Sequence, residues 1–405
     1  MTPTPAVPVH MRRNLFDPVE ELMKLQDDAP VSLVELPFNA WSVPAWLVTG
    51  YHDIREVLGN AARFSSSSER MRDFLVANVG EAMEPQRPSA TAGSFIEADP
   101  PEHTRLRRLL IPEFTVRRMR RLRPRIEAIV SEHLDAMQSH GGPVDLVQAL
   151  ALPVPSLVIC ELLGVPYADR LDFQRHTSVM LDAESSPDEQ EAANDSARAY
   201  MTELVRSQRA DPGEDLLGML IREHGSDLSE EELVGIGVLL LIAGHETTAN
   251  MLGLGTLALL SHPDQWALLR SDTERVDRAV EELMRYLTVV HTPVLRIVTE
   301  DTTIGGQPVR AGEAVVCSLS SANRDKALMD GAHVLDITRE PSRHVAFGHG
   351  VHHCLGAPLA RMEMQIAFPA LVQRFPALRL AVPLEDVPLR ATSFIYGVKA
   401  LPVTW

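Results

Sequence analysis

The sequence predicts a mainly α-helical protein with a small, segregated β portion. Helical hydrophobic patterns punctuated by Pro and Gly fill most of the chain between residues 100 and 287. Apart from one short run at residues 46–49, β-like runs gather after residue 293 and again after residue 376. The chain of 405 residues has no internal repeat and no long low-complexity linker. We therefore expect one domain over residues 1–405, with a helix-rich part and a small β-rich part.

The composition is that of a soluble globular protein, with 45% hydrophobic and 23% charged residues. A mostly disordered chain is excluded. Three cysteines, Cys160, Cys317 and Cys354, are too few for a disulfide framework and favour a reducing compartment. The amino terminus holds no apolar run of signal-peptide or anchor length. We expect a cytoplasmic protein.

The net charge of -17 is unevenly distributed. Residues 103–125 contain nine arginines and one acid, Glu113, so the rest of the chain sums to -25. An acidic body with few aromatic residues argues against nucleic acid as the main partner. The basic segment suits an acidic protein instead.

The first part of the chain predicts short elements followed by long helices. Residues 17–25 begin a helix, 46–49 form a short strand, and 52–58 form a second helix. The weakly patterned stretch 65–98 is typical of a functional lid. Asp99-Pro-Pro-Glu102 predicts a capped helix from Pro100 to about Leu110, and another helix follows from Thr115. Further helices are predicted over 145–163, 167–183, 192–210 and 214–223, with a solvated loop within 182–195.

A second capping box, Ser229 to Glu232, begins a helix that His262-Pro263 ends. Its roughly 32 residues span about 48 Å. The polar run His245–Asn250 in its middle favours a buried central helix over a membrane span. Beyond it we expect two helices over 263–287, strands at 294–298, 302–304 and 314–317, a helix over 355–374, and a β-rich end.

The chemistry-bearing residues are densest in Phe347–Gly356, which reads FGHGVHHCLG. Zinc binding is one interpretation, although zinc ligands usually come in spaced pairs. A thiol nucleophile with a nearby histidine base is another, and a glycine-rich turn before a helix is the plainest. Gly348, Gly350 and Gly356 clear the approach to Cys354, as if a flat, bulky group lay against the backbone. Because Cys354 also lies near a helix start, a thiolate suited to haem iron fits best.

Phe347, Gly350, Cys354 and Gly356 match the haem-binding signature of cytochrome P450 enzymes, and the chain resembles that family over nearly its whole length. The resemblance implies the cytochrome P450 fold, with haem b between a long central helix and the Cys loop. It also implies that Cys354 ligates the iron as a thiolate, with Phe347, Gly348 and Gly356 beside the cofactor. The likeness is strongest to actinobacterial members that tailor macrolides and polyketides, around LLLIAGHETTANML.

Ala243 to Thr248 places polar groups inside the long apolar helix. Alone, this is most simply a polar interruption of a core helix, although buried polar groups are costly without partners. The resemblance implies that this segment covers the distal face of the haem. Ala243 and Gly244 then leave room for dioxygen, and Glu246 and Thr247 are catalytic, steering protons to it.

Glu282 and Arg285 are spaced i,i+3 and meet on one helix face. Many surface helices carry such pairs. The resemblance implies a buried ion pair that Arg339 completes, with a structural role.

His103 and Arg107 are i,i+4 neighbours that share a helix face. Two cationic donors can hold a carboxylate, although a solvated basic face is the plainer interpretation. The resemblance implies that both bind haem propionates, together with Arg296 and His352.

These features predict a haem-thiolate monooxygenase that uses O2 to hydroxylate or epoxidise a large apolar secondary metabolite, a macrolide or polyketide in antibiotic biosynthesis. Electrons should come from a separate ferredoxin and its reductase, since no flavin or iron–sulfur motif is evident. We expect a monomer without membrane attachment. A steroid, terpene or xenobiotic hydroxylase, or a peroxide-driven or oxidative-coupling member of the same fold, stays open. Substrate-pocket candidates, each of which could equally be core, are Val290, His291, Val294, Phe394 and Ile395.

Overall fold

The computed structural model describes residues 7–38, 41–80, 91–166, 169–182, 184–291 and 294–405. The chain divides into two compact units. The first comprises Met1–Leu109, Val290–Val334 and Ser342–Cys354, and the second comprises Leu110–Val289, Leu335–Pro341 and Leu355–Trp405. The expected single domain over residues 1–405 stays a prediction.

The strands are short apart from one hairpin. In chain order they are β1 (Arg13–Asn14), β2 (Asp17–Pro18), β3 (Val31–Phe38), β4 (Trp41–Val48), β5 (Phe64–Ser65), β6 (Val144–Asp145), β7 (Val294–Val298), β8 (Thr302–Ile304), β9 (Gln307–Val309), β10 (Ala314–Cys317), β11 (Arg379–Leu380) and β12 (Pro402–Thr404).

Helices make up most of the remainder. In chain order they are α1 (Glu20–Asp28), α2 (Tyr51–Gly59), α3 (Ser68–Val79), α4 (Glu102–Leu110), α5 (Val116–His140), α6 (Pro153–Leu163), α7 (Arg170–Leu181), α8 (Pro187–Ala210), α9 (Leu216–His224), α10 (Glu230–Ser261), α11 (Pro263–Ser271), α12 (Val276–Leu287), α13 (Leu319–Ala322) and α14 (Ala357–Arg374).

The first unit is organised around a five-stranded sheet with the order β3-β4-β10-β7-β5. Strand β10 runs parallel to β4 and antiparallel to β7. Side chains of β10 alternate between the two faces, as a strand requires. Val315 packs in one apolar cluster with Ile54 of α2, and Val316 packs in the other with Leu22 of α1 and Phe74 of α3. Helices therefore cover both faces of the sheet and fix the β7 strand that carries Arg296.

The second unit is organised around α10, which packs against α6, α8 and α14. Ser229 and Glu232 form the predicted capping box, and the helix ends at Ser261 as expected. Among the described residues it is the one helix long and apolar enough to cross a membrane, but 67% of its most apolar window is buried. This helix is therefore core of the unit. Strands β11, β12 and β6 form a small sheet in the same unit.

The structure confirms the mainly α class and differs from the sequence-based elements in a few places. Helix α4 begins at Glu102 rather than Pro100, and the Asp99 carboxylate instead accepts from the Ser66 amide at 2.8 Å and from the Ser65 hydroxyl. The loop predicted within 182–195 is short, because Ser186 and Glu189 form a capping box that begins α8 at Pro187. Helix α3 occupies part of the predicted lid 65–98, of which residues 81–90 lie outside the described residues.

Candidate active site

The loop that carries Cys354 is a tight turn of the first unit. The amide of Cys354 donates to the carbonyl oxygen of Phe347 at 2.9 Å, and the amide of Gly348 donates to that of Val345 at 2.8 Å. Gly348 and Gly350 both have φ of +72°, a conformation that favours glycine. The Cys354 side chain is exposed. Helix α14 begins at Ala357 with Gly356 as its N-cap, two residues later than predicted.

Close packing against α2 explains one of the loop glycines. A Cβ atom on Gly350 would lie 2.2 Å from the carbonyl oxygen of Leu58 and 3.0 Å from the Cα of Gly59. A Cβ on Gly348 would approach nothing closer than 3.8 Å. Gly350 is therefore required by the protein backbone itself, so the idea that it clears space for a cofactor is not needed. Sequence reasoning missed this contact because it joins positions almost 300 residues apart.

Four nitrogen-bearing side chains come together in the first unit near Cys354. His103 and Arg107 lie on α4, Arg296 lies on β7, and His352 lies in the Cys loop. The His103 and His352 ring centroids are 4.3 Å apart. Burial, followed by the charges of Arg296, His103 and Arg107, lowers the pKa of His352 to about 3. Burial also lowers the pKa of His103, so both rings are neutral near pH 7 and Arg107 and Arg296 supply the positive charge of this cluster.

The same cluster leaves donors unsatisfied. Within the described part of the chain, both ring nitrogens of His103 and the Nε2 of His352 are buried and lack a hydrogen-bond partner. Arg107 donates to the carbonyl oxygen of His353, beside Cys354, and burial lowers its pKa while Cys354 raises it. Buried donors without acceptors are costly, so the cluster fits an anionic ligand. The two propionates of haem are carboxylates of this kind, and the residues present fit that group.

The polar segment of α10 lies in the second unit, and its two candidate catalytic side chains take different environments. Glu246 is 2% exposed, and its Oε2 accepts from the Nη1 of Arg390 at 2.8 Å and from the Nδ2 of Asn250 at 3.3 Å. Thr247 is only partly buried, and its hydroxyl donates to the carbonyl oxygen of Ala243 at 2.9 Å. The helix thus directs the acid inward and leaves the hydroxyl on an accessible side.

Two small residues precede this pair. Ala243 is exposed and Gly244 is half-buried. A Cβ atom on Gly244 would lie 2.7 Å from the Cδ1 of Ile159 on α6. Packing of α10 on α6 therefore accounts for Gly244 independently of any ligand.

Arg390 and Asn250 are site residues that the sequence analysis missed. Arg390 lies 144 residues after Glu246, in the C-terminal segment LRATSFIYG. An isolated arginine in an otherwise uncharged stretch is a signal for a buried ionic partner, but it does not say which one. Asn250 is one turn after Glu246 and donates to its carbonyl oxygen at 2.7 Å.

Glu282 and Arg285 form a buried ion pair in the second unit. The Arg285 Nε and Nη2 atoms each lie 2.8 Å from a Glu282 oxygen, and Arg285 is 0% exposed. Glu282 Oε1 also accepts from the Asp336 amide at 3.0 Å and lies 3.4 Å from the Arg339 Nε. The three residues that sequence reasoning grouped are therefore in contact, and the Asp336 amide is an additional partner.

The substrate-pocket candidates are divided between the two units. In the first unit Val290 is half-buried, His291 is buried, and Val294 packs against the cluster that contains Ile54. In the second unit Phe394 is half-buried and Ile395 is buried. The assignment of these five residues to a substrate pocket stays a prediction.

The histidines of the Cys loop are the candidate zinc ligands of the sequence. Among the described residues, no group of three or more His, Cys, Asp or Glu side chains is arranged to hold a metal ion. The zinc interpretation of the loop histidines therefore has no geometric support.

Comparison with known proteins establishes the family. Residues 40–394 match the model of the family described as cytochrome P450. Cytochrome P450 FAS1 of Rhodococcoides fascians is 44% identical, with complete coverage of both chains. Among solved structures, P450 StaH from glycopeptide antibiotic A47934 biosynthesis is 45% identical with a TM-score of 0.86, covering 98% of this chain and 100% of that one. CYP105P1 in complex with filipin I is 41% identical with a TM-score of 0.89, covering 99% of both chains. The chain belongs to the cytochrome P450 family of monooxygenases, which use haem with a cysteine thiolate ligand.

Proposed function

We propose that this enzyme transfers one oxygen atom from O2 to a large apolar secondary metabolite, a macrolide or polyketide, in antibiotic biosynthesis. The observation that carries the proposal is the cationic cluster of His103, Arg107, Arg296 and His352 in the same unit as Cys354. The substrate class is supported by relatives that act in glycopeptide antibiotic biosynthesis or were solved with filipin I. The pocket candidates are mostly apolar, which suits a large apolar ligand.

In this proposal Cys354 is the iron ligand, and the four residues of the cationic cluster hold the two haem propionates. When bound, the haem supplies a thiolate-ligated iron that activates dioxygen. The cluster would orient the group, since charge-assisted hydrogen bonds to carboxylates are both directional and strong. Phe347 and Gly348 complete the loop next to Cys354.

Glu246 and Thr247 are the proposed proton-handling pair. The Thr247 hydroxyl can pass a proton because it both donates and accepts hydrogen bonds. Glu246 can supply that proton from the interior side of α10 once its carboxylate has taken one up from water, and the carboxylate is regenerated by the transfer. Replacing Thr247 by Ala should therefore reduce the fraction of electrons that reaches product and raise hydrogen peroxide release. If the variant keeps the electron-to-product ratio of the wild type, the assignment of this pair is wrong.

The substrate class is tested by optical titration of the purified ferric protein with macrolides, macrolactones, steroids and small terpenes. A saturable shift of the Soret band to shorter wavelength reports a ligand that displaces the iron-bound water. Tight binding by a macrolide alone supports antibiotic tailoring. Shifts by steroids or terpenes alone contradict the substrate class, and the lack of any Soret band after haem supplementation contradicts the haem assignment.

We propose a ferredoxin, supplied by its reductase, as the electron donor, and the basic segment as its docking surface. Several arginines of this segment are neutralised locally: Arg105 pairs with Glu102, Arg118 with Glu113, Arg123 with Glu127 and Arg125 with Glu161. Arg117, Arg120 and Arg121 on α5 are exposed and have no acidic partner among the described residues. Their uncompensated charge suits an acidic protein.

Substitutions can distinguish the exposed arginines of the proposed docking surface from the arginines that are paired with nearby acids. Changing Arg117, Arg120 and Arg121 together to Gln should slow reduction by ferredoxin about 10-fold at low salt. Arg125→Gln, which removes a charge already paired with Glu161, is the matched control and should change the rate little. Rising salt should slow the wild type and leave the triple variant nearly unaffected. Equal rates for the triple variant and the control would exclude this surface. A cytoplasmic monomer remains our expectation for the enzyme itself.

A further inference from the structure

The cationic cluster of the first unit is carried by elements that are far apart in the sequence. His103 and Arg107 lie on α4, whereas Arg296 lies on β7. Side chains that bind one ligand together must be kept within about 0.5 Å of the productive geometry by the structure around them. The contacts that fix α4 relative to β7 therefore decide how well the cluster can hold a ligand.

Asp99 connects these two elements through both its backbone and its side chain. Its carbonyl oxygen accepts from the His103 amide at 2.9 Å, which joins Asp99 to the start of α4. Its carboxylate accepts from the Ser66 amide at 2.8 Å and from the Ser65 hydroxyl. Ser65 ends strand β5 and pairs with Ile297 on β7. A chain of hydrogen bonds therefore runs from the start of α4 through β5 to β7, where Ile297 directly follows the arginine of the cluster.

The β5 end of this connection is firmly held. Ser65 is 0% exposed, and its hydroxyl oxygen also accepts from the Ser67 amide at 3.0 Å. The preceding residue, Phe64, is 0% exposed and packs in the apolar cluster on one face of the sheet. Ser66 differs, because its hydroxyl oxygen is buried and has no hydrogen-bond partner in the part of the chain that the structure describes. The Ser65 hydroxyl and the Ser66 amide are thus the donors that serve Asp99.

The charge of Asp99 argues against a direct role in binding an anion. Burial lowers the pKa of His103 and of Arg296, and the nearby charge of Asp99 partly opposes this lowering in both. A carboxylate in that position repels the carboxylates of a ligand, so its charge alone would weaken binding. Both oxygens of Asp99 are instead committed to donors at the end of β5. Its contribution to the cluster is therefore position.

We propose that Asp99 is a positioning residue of the haem site: its carboxylate braces the start of α4 against β5 and so keeps the α4 side chains of the cluster at the separation from Arg296 that two propionates require. The inference rests on the proposed role of the cluster in holding the propionates. Asp99 touches neither haem nor substrate in this assignment. It acts only through α4 and β5.

The test measures how fast haem leaves the loaded enzyme for an excess of apomyoglobin, followed at the Soret band. Asp99→Ala removes both hydrogen bonds of the brace, and Ser65→Ala removes one. Ser66→Ala is the matched control for Ser65→Ala, because the hydroxyl that it removes has no partner among the described residues. Glu97→Ala is the control for the loss of an acid, since Glu97 is exposed and lies in the same segment.

Haem loss should be about 10-fold faster in Asp99→Ala, the lower end of the effect of removing a residue that orients the groups around a metal site. Ser65→Ala removes one of two bonds, so about half of the effect on a logarithmic scale is expected, or about 3-fold. The Asp99→Ala/Ser65→Ala double variant should be no faster than Asp99→Ala, because the Ser65 hydroxyl acts through Asp99. Ser66→Ala and Glu97→Ala should match the wild type.

Haem dimethyl ester distinguishes positioning from a general loss of stability. Its propionates are masked as uncharged esters, so the cluster gains little by holding them. The wild type, Asp99→Ala and Ser65→Ala should therefore lose the ester at similar rates. A residue that only stabilised the fold would slow the loss of haem and of its ester by the same factor.

Three results would overturn the inference. Unchanged or slower haem loss in Asp99→Ala would show that its charge outweighs its hydrogen bonds. A Ser65→Ala enzyme that loses haem no faster than Ser66→Ala has the same meaning, and this comparison decides the matter if Asp99→Ala does not fold. Equal acceleration with haem and with its dimethyl ester would make Asp99 a structural residue only.

The propionate site itself is tested separately in the same assay. If neither Arg107→Gln nor Arg296→Gln speeds the loss of haem, the proposed role of the cluster fails, and the inference about Asp99 fails with it. Faster loss in these two variants, beside wild-type rates in Asp99→Ala and Ser65→Ala, refutes the brace alone.

Discussion

Glu282→Gln is the substitution that most directly tests what holds the second unit together. It keeps the size of the side chain and puts a neutral amide in place of the carboxylate that faces the Arg285 guanidinium, which is 0% exposed. The lost partner serves two Arg285 nitrogens at 2.8 Å each and Arg339 at 3.4 Å. Breaking one side of a buried, hydrogen-bonded ion pair costs about 3–5 kcal/mol. We expect a loss of this size because a neutral amide then faces a guanidinium that is fully buried and cannot reach water.

The loss of stability in Glu282→Gln can be measured as a fall in the melting temperature. For a cooperative transition of 405 residues, about 2.1 cal/mol/K per residue converts this loss into a fall of about 4–6 °C. The assay is calorimetry of the haem-loaded enzyme, with chemical denaturation as a second measure. The Soret band is recorded in parallel, because a structural role predicts that folded enzyme keeps its haem.

The neighbouring residue provides a matched control. Glu281 forms a bidentate pair with Arg361, but the two side chains are 18% and 30% exposed. Solvent screens this pair, so Glu281→Gln should cost about 1 kcal/mol or less and shift the melting temperature by about 1 °C. Equal shifts for the two variants would refute the reasoning from burial. A Glu282→Gln enzyme with wild-type stability would show that the buried charge finds another partner.

Three other changes have defined outcomes. Gly350→Ala should destabilise the Cys loop and reduce haem retention, since its Cβ would lie 2.2 Å from the Leu58 carbonyl oxygen. Gly306→Ala is the control, because Gly306 has a φ of +84° but open space around it. This control should lower the free energy of unfolding, measured with denaturant, by only about 1–2 kcal/mol. Burial lowers the pKa of His10 from 6.5 to about 4, so the unfolded chain binds more protons and stability falls as the pH drops from 6.5 to 4. His10→Met should reduce that acid-induced loss by about 3 kcal/mol in urea titrations at the two pH values, and equal losses would contradict it. Ser229→Ala removes the oxygen that caps α10 and should lower stability by about 1 kcal/mol, whereas Ser226→Ala outside the capping box should not.

Elements whose ends are encoded by nearby residues could be predicted from the sequence. Helix α10 follows its prediction at both ends, because Ser229 and Glu232 cap its start and His262-Pro263 stops it. Strands β7, β8 and β10 also have the predicted bounds. Each of these signals acts within a few residues, so no tertiary information is required.

Features that depend on distant residues could not be predicted. Asp99 was expected to cap α4, but Ser65 and Ser66 use its carboxylate. The carboxyl-terminal region was expected to be β-rich, yet its strands β11 and β12 are two and three residues long. There the chain is organised by contacts such as Phe394 with Leu181, which no local pattern reveals. Local propensity is a weak guide where tertiary contacts decide.

The two buried acids of the second unit differ in a way that bears on their roles. Glu282 accepts from Arg285 through both oxygens, from the Asp336 amide and from Arg339, so its carboxylate is well satisfied. Glu246 has one short contact with Arg390 and a longer one with Asn250 through one oxygen, and its other oxygen lies 3.8 Å from the Nε2 of His245.

A buried ion pair is seldom the most stable choice for a core, because desolvation offsets much of the attraction. The fully bonded Glu282 group suits a fixed structural element, in which exchange of partners would be costly. The partly bonded Glu246 group can exchange partners at lower cost, which is what moving a proton requires. The contrast gives a testable ordering. Substitution of the Glu282 carboxylate should lower the free energy of unfolding markedly and the product formed per NAD(P)H only slightly. Substitution of the Glu246 carboxylate should lower the product formed per NAD(P)H markedly and the free energy of unfolding only slightly.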